Sequence, residues 1–191
     1  MPWSRLPLLA VTCLLTVAVA GCSSDEDEPA STSASGSGGG GECTTSITAT
    51  YPDGTTIDLD GTTAAVQLGG GTGYTVYATD YDLPTAGIGT ATVRPPAGKH
   101  VASIFVAPVN QGDAVPIKAG TTIPAGSPNG SLAFGVILYA GKKDFGMSME
   151  EQGSLTISQV DAKHLCLEVD YRDEVKSVQG TVSADVYDSP F

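Results

Sequence analysis

Two histidines are the first candidates for acid–base chemistry in this 191-residue chain. His100 follows Gly98-Lys99 ahead of an apolar run, and His164 follows Lys163 in a turn. No carboxylate partner is apparent for either. Neither stands in a metal spacing such as H-x-x-x-H or H-E-x-x-H. No G-x-S-x-G elbow presents a serine nucleophile. The stretch Gly69-Gly70-Gly71-Thr72-Gly73 is glycine-dense but lacks the Lys-Ser/Thr of a phosphate loop, so it reads as a wide hairpin turn. Asp58-Leu59-Asp60-Gly61 resembles a fragment of a calcium loop whose third acidic ligand and distal Glu are missing. Asp80-Tyr81-Asp82 and Asp170-Tyr171-Arg172-Asp173-Glu174 are acidic turns. They would help coordinate Ca²⁺ only if the fold joined two of them, and solvated turn carboxylates are the plainer reading. No metal and no cofactor is expected. The tyrosines Tyr51, Tyr74, Tyr77, Tyr81, Tyr139 and Tyr171 suit a glycan or protein contact, although most such residues simply pack on strands with one wet edge.

The elements that must position these residues are strands. From Thr44 onward the pattern has period two with turn residues at short intervals. Ile47, Ala49 and Tyr51 alternate with polar residues before Pro52-Asp53-Gly54 turns the chain. Short strands over 64–68 and 74–79 flank the glycine turn. Runs 101–106 and 133–140 are almost wholly apolar, which suits strands covered on both faces or central in a sheet. In the last third, strands around Leu155, Leu167 and Val182 form an antiparallel meander. Residues 80–86 and 142–152 are the two places that could be helical, but Pro84, Gly146 and Gly153 cut both short. Segments 83–99 and 115–130, each with three prolines, read as long surface loops. The fold class is all-β, an antiparallel β-sandwich, with an open β-barrel holding a ligand cavity as the alternative.

The amino terminus has a different character. Met1 to Arg5 is a short basic segment, and Leu6 to Ala20 is an apolar run of 15 residues. A membrane span takes about 20 residues, so the run fits the hydrophobic region of a signal peptide. It ends in Val19-Ala20-Gly21-Cys22, which resembles the lipobox of bacterial lipoproteins, with Val19 where that family usually has Leu. The resemblance covers the first 22 residues. It implies removal of residues 1–21 and a diacylglyceryl and palmitate-type anchor on Cys22, on a cell membrane or outer membrane and facing away from the cytoplasm. Two acyl chains hold a protein where one does not, at about 0.8 kcal/mol per buried methylene. Ser23 stands where an Asp resembles the inner-membrane retention signal of Gram-negative lipoproteins. In such a cell the outer membrane is therefore favoured. Residues 23–42 are a Gly/Ser tether with an acidic block from Asp25 to Glu28. Such a sequence cannot fill a core, and its r.m.s. reach is roughly 25 Å.

Once Cys13 leaves with the signal peptide and Cys22 carries lipid, Cys43 and Cys166 remain. An even pair in an oxidising compartment predicts a disulfide. Alternation puts Cys166 on the opposite face from Leu165 and Leu167, so the bridge belongs on the outer face or an edge of the closing meander. The domain then runs from 43 to 191 as one β-rich unit.

Composition excludes some partners. Nine Lys and Arg stand against 21 Asp and Glu, for a formal net charge of -12 and a pI near 4.2. Nucleic acid and a polybasic contact with anionic lipid both need clustered cations. The expected function is that of an envelope lipoprotein whose domain binds a protein, glycan or small ligand without catalysis. The alternative is an envelope hydrolase or carbohydrate-active module, which two carboxylates, or a histidine with a carboxylate, within about 3 Å in a convergent cleft would favour.

Overall fold

The computed structural model describes residues 43–69, 72–86, 88–89, 93–110, 115–126, 132–148 and 150–188. Residues 1–42, with the expected signal peptide, Cys22 and the expected tether, lie outside them. Eleven strands are present: β1 (Ser46–Thr50), β2 (Thr56–Asp58), β3 (Thr63–Gln67), β4 (Tyr74–Thr79), β5 (His100–Pro108), β6 (Thr121–Pro124), β7 (Leu132–Ala140), β8 (Lys143–Phe145), β9 (Gln152–Val160), β10 (His164–Arg172) and β11 (Ser177–Asp188). The described residues contain no α-helix. The stretch read as possibly helical from residue 142 instead holds the short strand β8. The loop read over 115–130 contains β6.

All strands join one curled sheet, in the order β6-β9-β10-β11-β3-β4-β5-β7-β8, with β1 and β2 added beside the first half of β11. The long β11 is the seam. Its residues 177–181 pair with β1, and residues 185–188 pair with β3. The β11–β3 ladder is parallel, the one departure from antiparallel pairing among the described strands. The seam divides the sheet into two packed halves, and β6 at one end lies against β7 near the other. A sandwich or half-barrel describes the result.

Both halves supply one core. Ile47, Ala49, Leu155, Ile157, Leu165, Leu167, Val178 and Val182 face Val76, Ile104, Val136 and Leu138. The strands β3, β4, β5 and β7 are covered on their other face too. There Ala64, Val66, Tyr77, Val101 and Tyr139 pack with Ile88, Leu83 and Val93 from the connection between β4 and β5. That connection is therefore a cover as well as a loop. It explains why β5 and β7 read as continuous apolar runs: both faces are largely covered. Residues 40–191 make one compact unit that contains both clusters and the disulfide, so the domain has the means to fold without the preceding segment.

The Cys43–Cys166 disulfide is present, with the two Cα atoms 6.2 Å apart. Cys166 is buried although Leu165 and Leu167 take the core side. The arriving segment at Cys43 to Thr45 covers it. The Thr45 hydroxyl donates to Ser183 O at 3.1 Å and accepts from Ser183 N at 3.1 Å. Since β10 lies between β9 and β11, the clip is on the face of the meander and not at an edge.

Candidate functional site

The turn after β7 and the chain before β5 build a cleft. Ala140 pairs with Lys143, so only Gly141 and Lys142 make the β7–β8 turn. Gly141 has φ +57°, in the left-handed region that glycine adopts without a Cβ penalty. Its amide donates to Lys99 O at 3.0 Å, while Lys99 N donates to Pro96 O at 3.1 Å. The two turns are thereby held side by side. Between them opens a cleft of about 660 Å³, floored by Tyr51, His100 and Phe145 and walled by Pro95, Pro96 and Ala97. Lys99, Lys142, Lys143 and Asp53 stand on its rim.

Tyr51 anchors the floor. It follows β1, is buried, and donates its hydroxyl to Tyr139 O at 3.2 Å. Its ring lies 5.0 Å from the His100 ring and 5.9 Å, edge-on, from Phe145. Burial, and then the charge of Asp80, push its phenol well above the ordinary range, so it stays a hydrogen-bond donor.

His100 has a carboxylate partner that its sequence neighbours did not reveal. Asp80 Oδ2 lies 2.7 Å from His100 Nδ1, and Asp80 Oδ1 accepts the His100 amide at 2.8 Å. The side chains are 20% and 15% exposed. The cause is register. Thr79 pairs with Val101, so the next residue beyond β4 falls beside the first residue of β5. Gly61 holds that corner. Its amide donates to Thr79 O at 2.7 Å, and a Cβ there would come within 2.5 Å of Tyr81 N. Among the described residues His100 Nε2 makes no hydrogen bond, and His100 lines the cleft. The pair can orient one imidazole tautomer and leave the other nitrogen to exchange a proton with a bound molecule.

His164 lies elsewhere, on the outer face of β10 and β11. Its Nε2 is 3.0 Å from Ser183 Oγ, and its Nδ1 is 3.8 Å from Asp185 Oδ1. Ser, His and Asp are thus neighbours, an arrangement no sequence motif flagged. The second distance is too long for a hydrogen bond, and Asp185 is 77% exposed, so water competes for both groups.

The acidic turns are not gathered. Asp58 accepts from the Thr48 hydroxyl, Asp170 from Gln179, and Asp80 from His100. Asp173 is buried against Lys176. Among the described residues no three His, Cys, Asp or Glu could hold a metal ion together. β3 and β4 pair as antiparallel neighbours with Leu68 N donating to Gly73 O at 2.9 Å, while Gly70 and Gly71 of the glycine run lie outside the described residues. Cys22, the expected lipid site, lies outside the described residues. Compared with protein-family models, with curated proteins and with solved structures, the chain matches none.

Proposed function

We propose that the chain is a lipid-anchored envelope protein, held through Cys22, whose β domain binds a small ligand in the cleft between residues 95–100 and 140–145. One observation carries the binding reading: a cleft of about 660 Å³ with an aromatic floor and a few polar groups on its rim. Ligand sites run from roughly 300 to 1,000 Å³ and are mostly apolar with few orienting groups. The Tyr51 hydroxyl is already engaged and the floor residues are packed on one another, so the site is preformed. Catalysis is not part of this reading. A thermal-shift screen of small molecules on residues 40–191 tests it, with Ala97→Trp as control. Ala97 is exposed on the wall, so a tryptophan there fills the cleft without disturbing the core. Hits that vanish in Ala97→Trp support the reading. Hits indifferent to it, or none at all, sink it.

A hydrolase is the second reading, and the His100–Asp80 pair favours it. Its mark would be turnover of an ester or glycoside that His100→Ala abolishes while ligand-induced stabilisation persists.

A further inference from the structure

We infer that the cleft takes an organic anion: an apolar, ring-bearing body with one carboxylate, phosphate or sulfonate group. This rests on the binding reading above and adds the chemistry of the ligand. The observation is a local reversal of charge. Residues 43–191 carry 16 acidic and eight basic residues, so an average surface cleft should be acidic. This one has Lys99, Lys142 and Lys143 on its rim against a single carboxylate, Asp53.

The hydrogen bonds sharpen the point. Asp53 Oδ1 is occupied by the Thr55 amide at 2.9 Å within its own turn. Asp144, the next carboxylate along β8, is drawn to Arg94 at 3.0 Å. Asp80 sits behind the imidazole with both oxygens on His100. Lys99 Nζ donates to the Asp80 carbonyl at 3.2 Å. Lys142 and Lys143 have no ion-pair partner among the described residues. Each ammonium offers three donors and no acceptor. The Lys143 charge acts on Asp53 and Lys99 already has an acceptor, yet the rim holds three ammoniums to one carboxylate beside an aromatic floor.

An anionic headgroup satisfies those donors while an apolar body covers Tyr51 and Phe145. A neutral glycan would gain nothing from the exposed ammoniums, which water already solvates, and a cation would be repelled. A nucleic acid strand would meet a domain of net charge -8, eight basic against 16 acidic residues, on either side of so small a basic patch. A small molecule confined to the cleft escapes that repulsion.

The test compares two probes on residues 40–191. Anilinonaphthalenesulfonate carries a sulfonate, and N-phenylnaphthylamine has the same rings without it. The expected result is saturable, one-to-one fluorescence enhancement with the sulfonate and binding of the neutral amine at least about tenfold weaker. Lys142→Ala with Lys143→Ala should weaken the sulfonate by about tenfold or more and leave the neutral amine unchanged. Raising ionic strength from about 0.02 to about 0.5 M should weaken only the sulfonate, a readout on the wild type alone. Equal binding of both probes, indifferent to the lysine pair and to salt but lost in Ala97→Trp, would overturn the anion and leave the cleft reading standing. Probe binding that survives Ala97→Trp, or no saturable binding of either probe, would overturn both.

Discussion

Lys176 and Asp173 have fully buried side chains in an acidic turn that reads, from sequence, as solvated. They form an ion pair at i, i+3 in the β10–β11 connection. Lys176 Nζ also donates to Gly146 O at 2.6 Å. The Tyr171 hydroxyl is shared between Asp173 Oδ2 at 2.9 Å and Glu151 Oε1 at 3.0 Å. These bonds tie the chain after β8, and with it the lysine wall of the cleft, to the meander. Burial acts to raise the Asp173 pKa, but the Lys176 ammonium and the amides of Val175 and Lys176 outweigh it and hold the carboxyl below its ordinary value of 3.8. A depressed carboxylate contributes stability that is complete above the unfolded-state value and is lost as pH falls through the folded one. The pair therefore adds to the loss of stability in acid below about pH 4. Lys176→Met strands a buried charge and should lower unfolding free energy by about 3–5 kcal/mol in denaturant titrations at pH 7. Asp173→Asn with Lys176→Met removes both charges and keeps a side-chain oxygen for the two amides. It should cost only about 1 kcal/mol and flatten the acid limb. A double variant as unstable as the single one would refute the stranded-charge account. The same inward turn explains the limits of sequence here: residue type marked Asp173 and Asp80 as polar, and only tertiary register decides which carboxylates face a partner.

At the scale of elements, the legible parts are local. The meander β9-β10-β11 follows from alternation and short turns, and the covered strands β5 and β7 follow from unbroken apolar runs. Two pieces escape that logic. β6 and β8 have four and three residues, too few to show a period. The parallel β11–β3 ladder joins residues more than 100 positions apart, and no local pattern announces it. The cleft inherits the same difficulty, because its two walls come from separate connections and its His100–Asp80 pair from the β4–β5 register. Cysteine parity, by contrast, needs no register and found the 43–166 bridge. That bridge closes a loop of 123 residues over the outer face of β10. Loop-closure entropy for that length gives an upper figure of about 4–5 kcal/mol. Thiol counting on unfolded, unreduced protein should find none free in this domain. Cys43→Ser with Cys166→Ser should lower stability by up to that amount with the fold retained, since Thr45 and β1 still pair with β11. Two free thiols in the wild type would contradict the bridge. A denaturation midpoint unchanged by the double substitution would contradict its stabilising role.

For the whole molecule, the proposed anchor would decide where the cleft works. No described helix is long and apolar enough to cross a membrane, and the only long apolar run is Leu6 to Ala20. At 15 residues that run is short of the roughly 20 a span needs, and lipid on Cys22 is the anchor we propose. With lipid on Cys22, the acidic block Asp25 to Glu28 would lie close to it in sequence and be repelled from an anionic surface. If the lipid anchor holds, that arrangement would leave the cleft free to sample small anions outside the cell, where a polybasic membrane-binding face would be occupied by lipid. The decisive measurement is made on intact cells. Wild-type protein should take up labelled palmitate and partition into the detergent phase, with an intact mass larger than residues 22–191 alone. Cys22→Ser should lose the label and move to the aqueous phase or the medium, while the purified variant binds the anionic probe as the wild-type domain does. A Cys22→Ser protein that still partitions with detergent would remove the lipid anchor from the account and leave the cleft chemistry untouched, because the two rest on residues in different parts of the chain.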